Sequence, residues 1–200
     1  MKYSSVQIAS AVLLCVFTLP AFAEKCYEES PNMVADGDEY YDLVMKDKLS
    51  RKDDKKIKAL TRSLKGKWRG KAIAVSCVGT EKNPKMKTIK SKVTASMVDG
   101  IENQLVLKAE MYMKSRKSTA STTTHLFRRD NMFNAVISDE NFISYGERLR
   151  RRAGQGRQFI ETTYALQLNT DNKKKKLDIK IHHYISGVLI AHEKWQLTKK

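Results

Sequence analysis

Two hundred residues leave room for one domain with a tail and exclude a multidomain enzyme, since domains typically run to about 100–200 residues. With 41% hydrophobic and 30% charged residues the chain has enough apolar surface for a core, which excludes a wholly disordered or fibrous protein. Its 38 Lys+Arg against 22 Asp+Glu give a formal charge of +16, a surface that attracts polyanions, anionic lipids or acidic proteins without choosing among them.

Lys2 precedes an apolar run from Val6 to Leu19, and Ala21-Phe22-Ala23 then supplies the small residues of an A-x-A cleavage site. Residues 1–23 are therefore expected to be a cleaved secretory signal, too short and wrongly flanked for a membrane span. Cys15 leaves with that segment, so Cys26 and Cys77 remain, and in an oxidising compartment they are expected to pair. No Asn of the mature chain opens an Asn-x-Ser/Thr sequon, so the expected location is periplasmic or secreted, with a bacterial periplasm preferred.

The next segment, 24–50, carries eight acids and two bases as far as Asp47. Such a stretch either lies on the basic domain, stapled there by Cys26, or forms a free acidic tail. Ile57, Leu60 and Leu64 then recur at helical spacing, with Asp53 or Asp54 placed to cap the start and Gly66 just past the end.

After Gly66 the period changes to two. Leu105, Leu107, Ala109, Met111 and Met113 share one strand face, and Leu177, Ile179 and Ile181 share another. Further strands are expected over 67–78, 86–98, 119–128, 132–138, 141–149, 157–168 and 188–198, separated by turn residues such as Asn83-Pro84, Asp99-Gly100 and Ser186-Gly187. Strands in succession without helices predict a mainly β fold, an antiparallel up-and-down barrel of about 8–10 strands preceded by one amphipathic helix, filling 51–200. In the last hairpin, a three-residue loop Ile185-Ser186-Gly187 pairs Tyr184 with Val188, Ile181 with Ala191 and Asp178 with Lys194, better than a two-residue loop does. A lipid-facing barrel could not carry Lys and Asp at mid-strand, so no stable membrane insertion is expected.

The run Leu64-Lys65-Gly66-Lys67-Trp68-Arg69-Gly70 takes the chain from helix to first strand through a G-x-W step. It resembles the opening of calycin-type barrels, the lipocalin and fatty-acid-binding group, and the L-x-G-x-W-x-G start of nitrobindin-like haem barrels. The resemblance implies that Trp68 packs across a closed barrel end and that the cavity takes a small, mostly apolar ligand. It also implies that one inward histidine, here His183, could reach a haem, although such a histidine is more often a core side chain hydrogen-bonded to a neighbour.

No H-E-x-x-H, C-x-x-C or G-x-S-x-G pattern occurs, and the glycines are too scattered for a phosphate loop, so neither catalysis nor a cofactor is expected. His182 and His192 are expected to share an outer sheet face without an evident third metal ligand. Arg148, Arg150, Arg151, Arg152 and Arg157 surround Gly154 and Gly156, whose flexibility suggests a loop that could fork onto carboxylates or phosphates. Lys173–Lys176 forms a second basic tip, but without interleaved aromatics neither tip reads as a nucleic-acid site. Two functions follow. One is an exported binding barrel, its cavity lined by Leu105, Leu107, Met111, Met113 and His183 around a small apolar or amphipathic ligand. The alternative is an inhibitor or immunity-type protein that grips an acidic envelope protein through its basic rim.

Overall fold

The structure is a computed structural model that describes residues 26–30, 50–101, 104–128, 132–139, 141–153, 156–171 and 173–200. The expected signal 1–23 and most of the acidic segment lie outside the described residues.

Helix α1 (Arg51–Leu64) starts at Ser50, whose Oγ accepts the Asp53 N–H at 3.1 Å. Ser50, not Asp53 or Asp54, is thus the cap; both aspartates sit in the first turn, where their charge complements the helix dipole. Ile57, Leu60 and Leu64 form its buried stripe. Gly66 then takes a positive φ of 118° and starts the first strand.

Nine strands follow: β1 (Gly66–Thr80), β2 (Asn83–Asp99), β3 (Leu105–Met113), β4 (Ser118–Leu126), β5 (Met132–Asp139), β6 (Phe142–Ala153), β7 (Gly156–Asp171), β8 (Lys174–Ile185) and β9 (Val188–Lys199). All neighbours are antiparallel, in the order β4-β3-β2-β1-β9-β8-β7-β6-β5. Among the described residues the fold is mainly β with one preceding helix, as expected, but β4 and β5 are edges and the sheet does not close. It does curl, because Leu105, Leu107 and Leu126 from one edge share a core with Ile143, Tyr145 and Leu166 from the other. Side chains of β6 bridge the seam: the Phe127 N–H donates to Tyr145 Oη at 3.3 Å and the Arg128 N–H to Glu147 Oε1 at 3.4 Å.

Trp68 is fully buried at the helix end of this core and donates its Nε1–H to the Leu64 carbonyl at 2.7 Å. That bond satisfies one of the carbonyls a helix leaves open at its C-terminus. Lys199 covers the same corner, donating to the Ser63 carbonyl at 2.8 Å with its ammonium 5.5 Å from the Trp68 ring centroid. Gly70 lets β1 approach β9, because a Cβ there would collide with the Gln196 carbonyl.

Three local expectations change. Asn83 and Pro84 begin β2 instead of forming the turn, with Pro84 opposite Gly79 near the hairpin tip, where its missing N–H is tolerated. The arginine run does not bend into a loop: β6 continues to Ala153 and pairs Arg151 with Gln158 and Arg152 with Arg157. In the last hairpin Ile185 faces Val188 across a two-residue turn, with φ of 49° at Ser186 and 81° at Gly187. Ile190 is then a bulge, after which His183 faces Ala191, Ile181 faces Glu193 and Ile179 faces Trp195. Beyond the bulge the expected three-residue register is therefore off by two residues, which preserves the faces from Ala191 onward, since a strand repeats every two; at the tip it is off by one, and Tyr184 faces Leu189 instead of Val188.

The start of the acidic segment docks on the outside of the far end. Cys26 is bonded to Cys77, as expected. The Tyr27 N–H donates to the Leu189 carbonyl at 3.0 Å, the Leu189 N–H to Glu28 O at 2.8 Å, and the Ser30 N–H to Gly187 O at 2.7 Å.

Candidate functional site

Along the inner face of the sheet, composition changes with distance from the helix. Near it the residues are apolar and closely packed. Further out, one register row runs Ile89, Ala74, Glu193, Ile181, Tyr164, Tyr145, and the next runs Ser76, Ala191, His183, Thr162, Glu147, Met132. These two rows bring two carboxylates, an imidazole, two phenols and two hydroxyls to the inner face.

Glu193 is the centre of this cluster. Its Oε2 accepts the Trp195 Nε1–H at 2.7 Å, and its Oε1 lies 3.4 Å from His183 Nε2. His183 Nδ1 in turn lies 3.4 Å from Thr162 Oγ1, which holds the ring in line. The hydrogen bond from His183 holds the Glu193 carboxyl below its ordinary value, against the opposing pull of burial, with help from Trp195. Burial raises the Tyr164 phenol, and the charges of Glu147 and Glu193 add to it; Tyr145 is raised for the same first reason and by Glu147. Both phenols are thus neutral donors at physiological pH.

Although they face inward, the His183 and Glu193 side chains remain 31% and 26% exposed. Ala74 and Ala191 beside them are small and half-buried. The far end of the curled sheet is therefore accessible to water, whereas the helix end is filled. Chemically, an open, inward carboxylate with an imidazole beside it can accept and donate hydrogen bonds to a polar group that enters from the rim, while the two buried phenols stand behind them.

The expected lining divides along the same boundary. Leu105 and Leu107 are fully buried in the core cluster at the helix end. Met111 is half-buried against that core, Met113 is half-buried at the end of β3, and His183 stands in the polar cluster. Glu193, Tyr164, Thr162 and Glu147 were not singled out from the sequence. A signal existed for Glu193, which breaks the inward series Ala191, Trp195, Leu197 with a charge.

Of the arginine cluster, Arg148 is 12% exposed and pairs with the 3% exposed Glu161 at 2.9 Å. Ser30 Oγ donates to the other carboxylate oxygen at 2.7 Å, and the Arg148 guanidinium stacks 5.6 Å from the Phe159 centroid. Arg148 thus anchors the docked N-terminal segment. Arg150, Arg151, Arg152 and Arg157 lie on the hairpin beyond, their side chains outside the described part. His182 and His192 face each other on the outer surface with rings 6.2 Å apart, and among the described residues no group of three ligands for a metal forms.

The chain matches no known family model and no curated protein sequence.

Proposed function

We propose that the protein is a non-enzymatic, exported binding protein that holds a small amphipathic ligand in the open end of its curled sheet. The observation that carries this reading is the exposure of His183 and Glu193 on an inward face, a polar station left wet where a filled barrel would have buried it. Glu193 has acceptor capacity beyond its two present contacts, so the polar end of the ligand carries a hydrogen-bond donor. Its apolar part lies toward Ile181 and Met111, where the interior turns hydrophobic. A calycin-like origin agrees with the Trp68 step, and the disulfide agrees with a periplasmic or secreted location. The alternative, an acidic protein gripped by the arginine hairpin, has less to draw on, because Arg148 is engaged by Glu161.

Native mass spectrometry of protein purified from its own host tests this. A small adduct released on denaturation is expected. Ala74→Trp, which fills the space beside Glu193, should remove the adduct while the variant keeps its β-sheet circular dichroism. An adduct-free wild type, or one equally loaded after that substitution, refutes the reading.

A further inference from the structure

The outer face of β8, β9, β1 and β2 carries the opposite chemistry to the inner one. Lys71 on β1 stands directly opposite Lys92 on β2, and Lys194 on β9 stands opposite Lys180 on β8. Like charges in direct cross-strand positions destabilise a sheet, so each pair costs the fold something. Lys90 adds a fifth positive charge opposite Ile73, which itself faces Lys194. All five lysines are exposed, and none makes an ion pair with a described residue; Asp178 and Glu110 stand at the margins. A local rule broken twice on one face, with no folding return, marks a surface shaped by something outside the fold.

That surface also has an apolar floor. A groove of about 300 Å³ lies among Lys71, Lys90, Lys92 and Lys114, with Ile73 and Tyr112 between them. Ile73 is 37% exposed and Tyr112 is 42% exposed, both unusual for residues of their size in a strand.

We propose that this face docks on the headgroup layer of an anionic lipid bilayer. Charge complementarity points to an anion, and the choice of residue points to a bilayer. Specific protein interfaces are depleted in Lys and enriched in Arg, whose fork reads a fixed carboxylate. Lysines on flexible stems suit charge spread over a fluid surface, and their stems leave the apolar floor free to meet the glycerol and upper acyl region. An interleaved tyrosine is the side chain favoured at that depth. The proposal stands on the outer face alone and does not depend on what the interior holds.

Sedimentation with phosphatidylcholine vesicles, with and without phosphatidylglycerol, tests it. Binding is expected only to the anionic vesicles and should weaken with added salt. Each double substitution, Lys71→Gln with Lys92→Gln and Lys180→Gln with Lys194→Gln, should reduce partitioning by about tenfold or more, since each lysine near an anionic leaflet contributes several-fold. Each removes a like-charge pair, so its melting temperature should equal or exceed that of the parent, and either variant suffices if the other misfolds. Equal binding to neutral vesicles, no binding to anionic ones, or unchanged binding by the folded variants overturns the proposal. So does lysine-dependent binding of polyglutamate in place of vesicles, which would assign the face to an acidic protein.

Discussion

Glu193 shows how one side chain ties the interior together. Because His183 and Trp195 both donate to it, its carboxyl is held below the ordinary value of 4.5, and folding favours its charged form. A group depressed in the folded state contributes stability that is fully present above its unfolded pKa and is lost as pH falls through its folded one. Urea unfolding at neutral pH and at steps below 4.5 should therefore show wild-type stability falling through the acid range, while Glu193→Gln loses that part of the slope. Identical acid slopes for the two proteins would mean that the carboxylate contributes nothing to folding. Arg148 carries a different lesson at the same scale. Its partner Glu161 lies 13 residues away on the next strand, and Ser30, which completes the site, lies 131 residues from Glu161, so no local pattern announces the trio.

At the level of elements, the β8–β9 hairpin depends on parity more than on loop length. Its two-residue turn uses positive φ at both Ser186 and Gly187, the geometry that matches strand twist. That turn alone would put Glu193 and Trp195 on the wrong face, and the Ile190 bulge restores them. Deleting Ile190 leaves each pair of this hairpin intact, since Tyr184 still faces Leu189 and His183 still faces Ala191. The deletion variant should accordingly unfold cooperatively, with native-like near-ultraviolet dichroism. Deleting Lys194, inside the ladder, should abolish the cooperative transition, because either Trp195 and Leu197 or Ala191 and Glu193 must turn outward. If the two deletions behave alike, the bulge has no part in setting the faces.

For the molecule as a whole, the Cys26–Cys77 bond decides where the acidic segment begins its course. It closes a separation of 51 residues and holds the backbone of 26–30 against β9, beside the rim of the open end. In the chain-entropy account a loop of that length stabilises the fold by about 4 kcal/mol. Replacing both cysteines by Ser should lower the unfolding free energy by about that amount in denaturant titrations, with the mainly β dichroism unchanged. A loss below about 1 kcal/mol would show that the backbone bonds of the segment hold it without the covalent closure.

Much of this architecture is legible in the chain itself. Hydrophobic period locates the helix by Ile57, Leu60 and Leu64, the strands by their alternation, and the inward parity of His183; the two cysteines beyond the expected signal leave one pairing; Trp68 sits where helix meets strand. Each of these is a short-range property, written within a few residues of where it acts. A period of two, however, reports only a face. It is blind to a register shift of two residues, to the distance by which an edge misses its opposite edge, and to the depth at which an inward residue sits. Tertiary structure therefore decided that β4 and β5 do not pair with each other, that Leu105 and Leu107 fill the helix end while His183 and Glu193 stay wet, and that Arg148 binds Glu161. All three depend on contacts between residues far apart in sequence, whose energies no local pattern encodes.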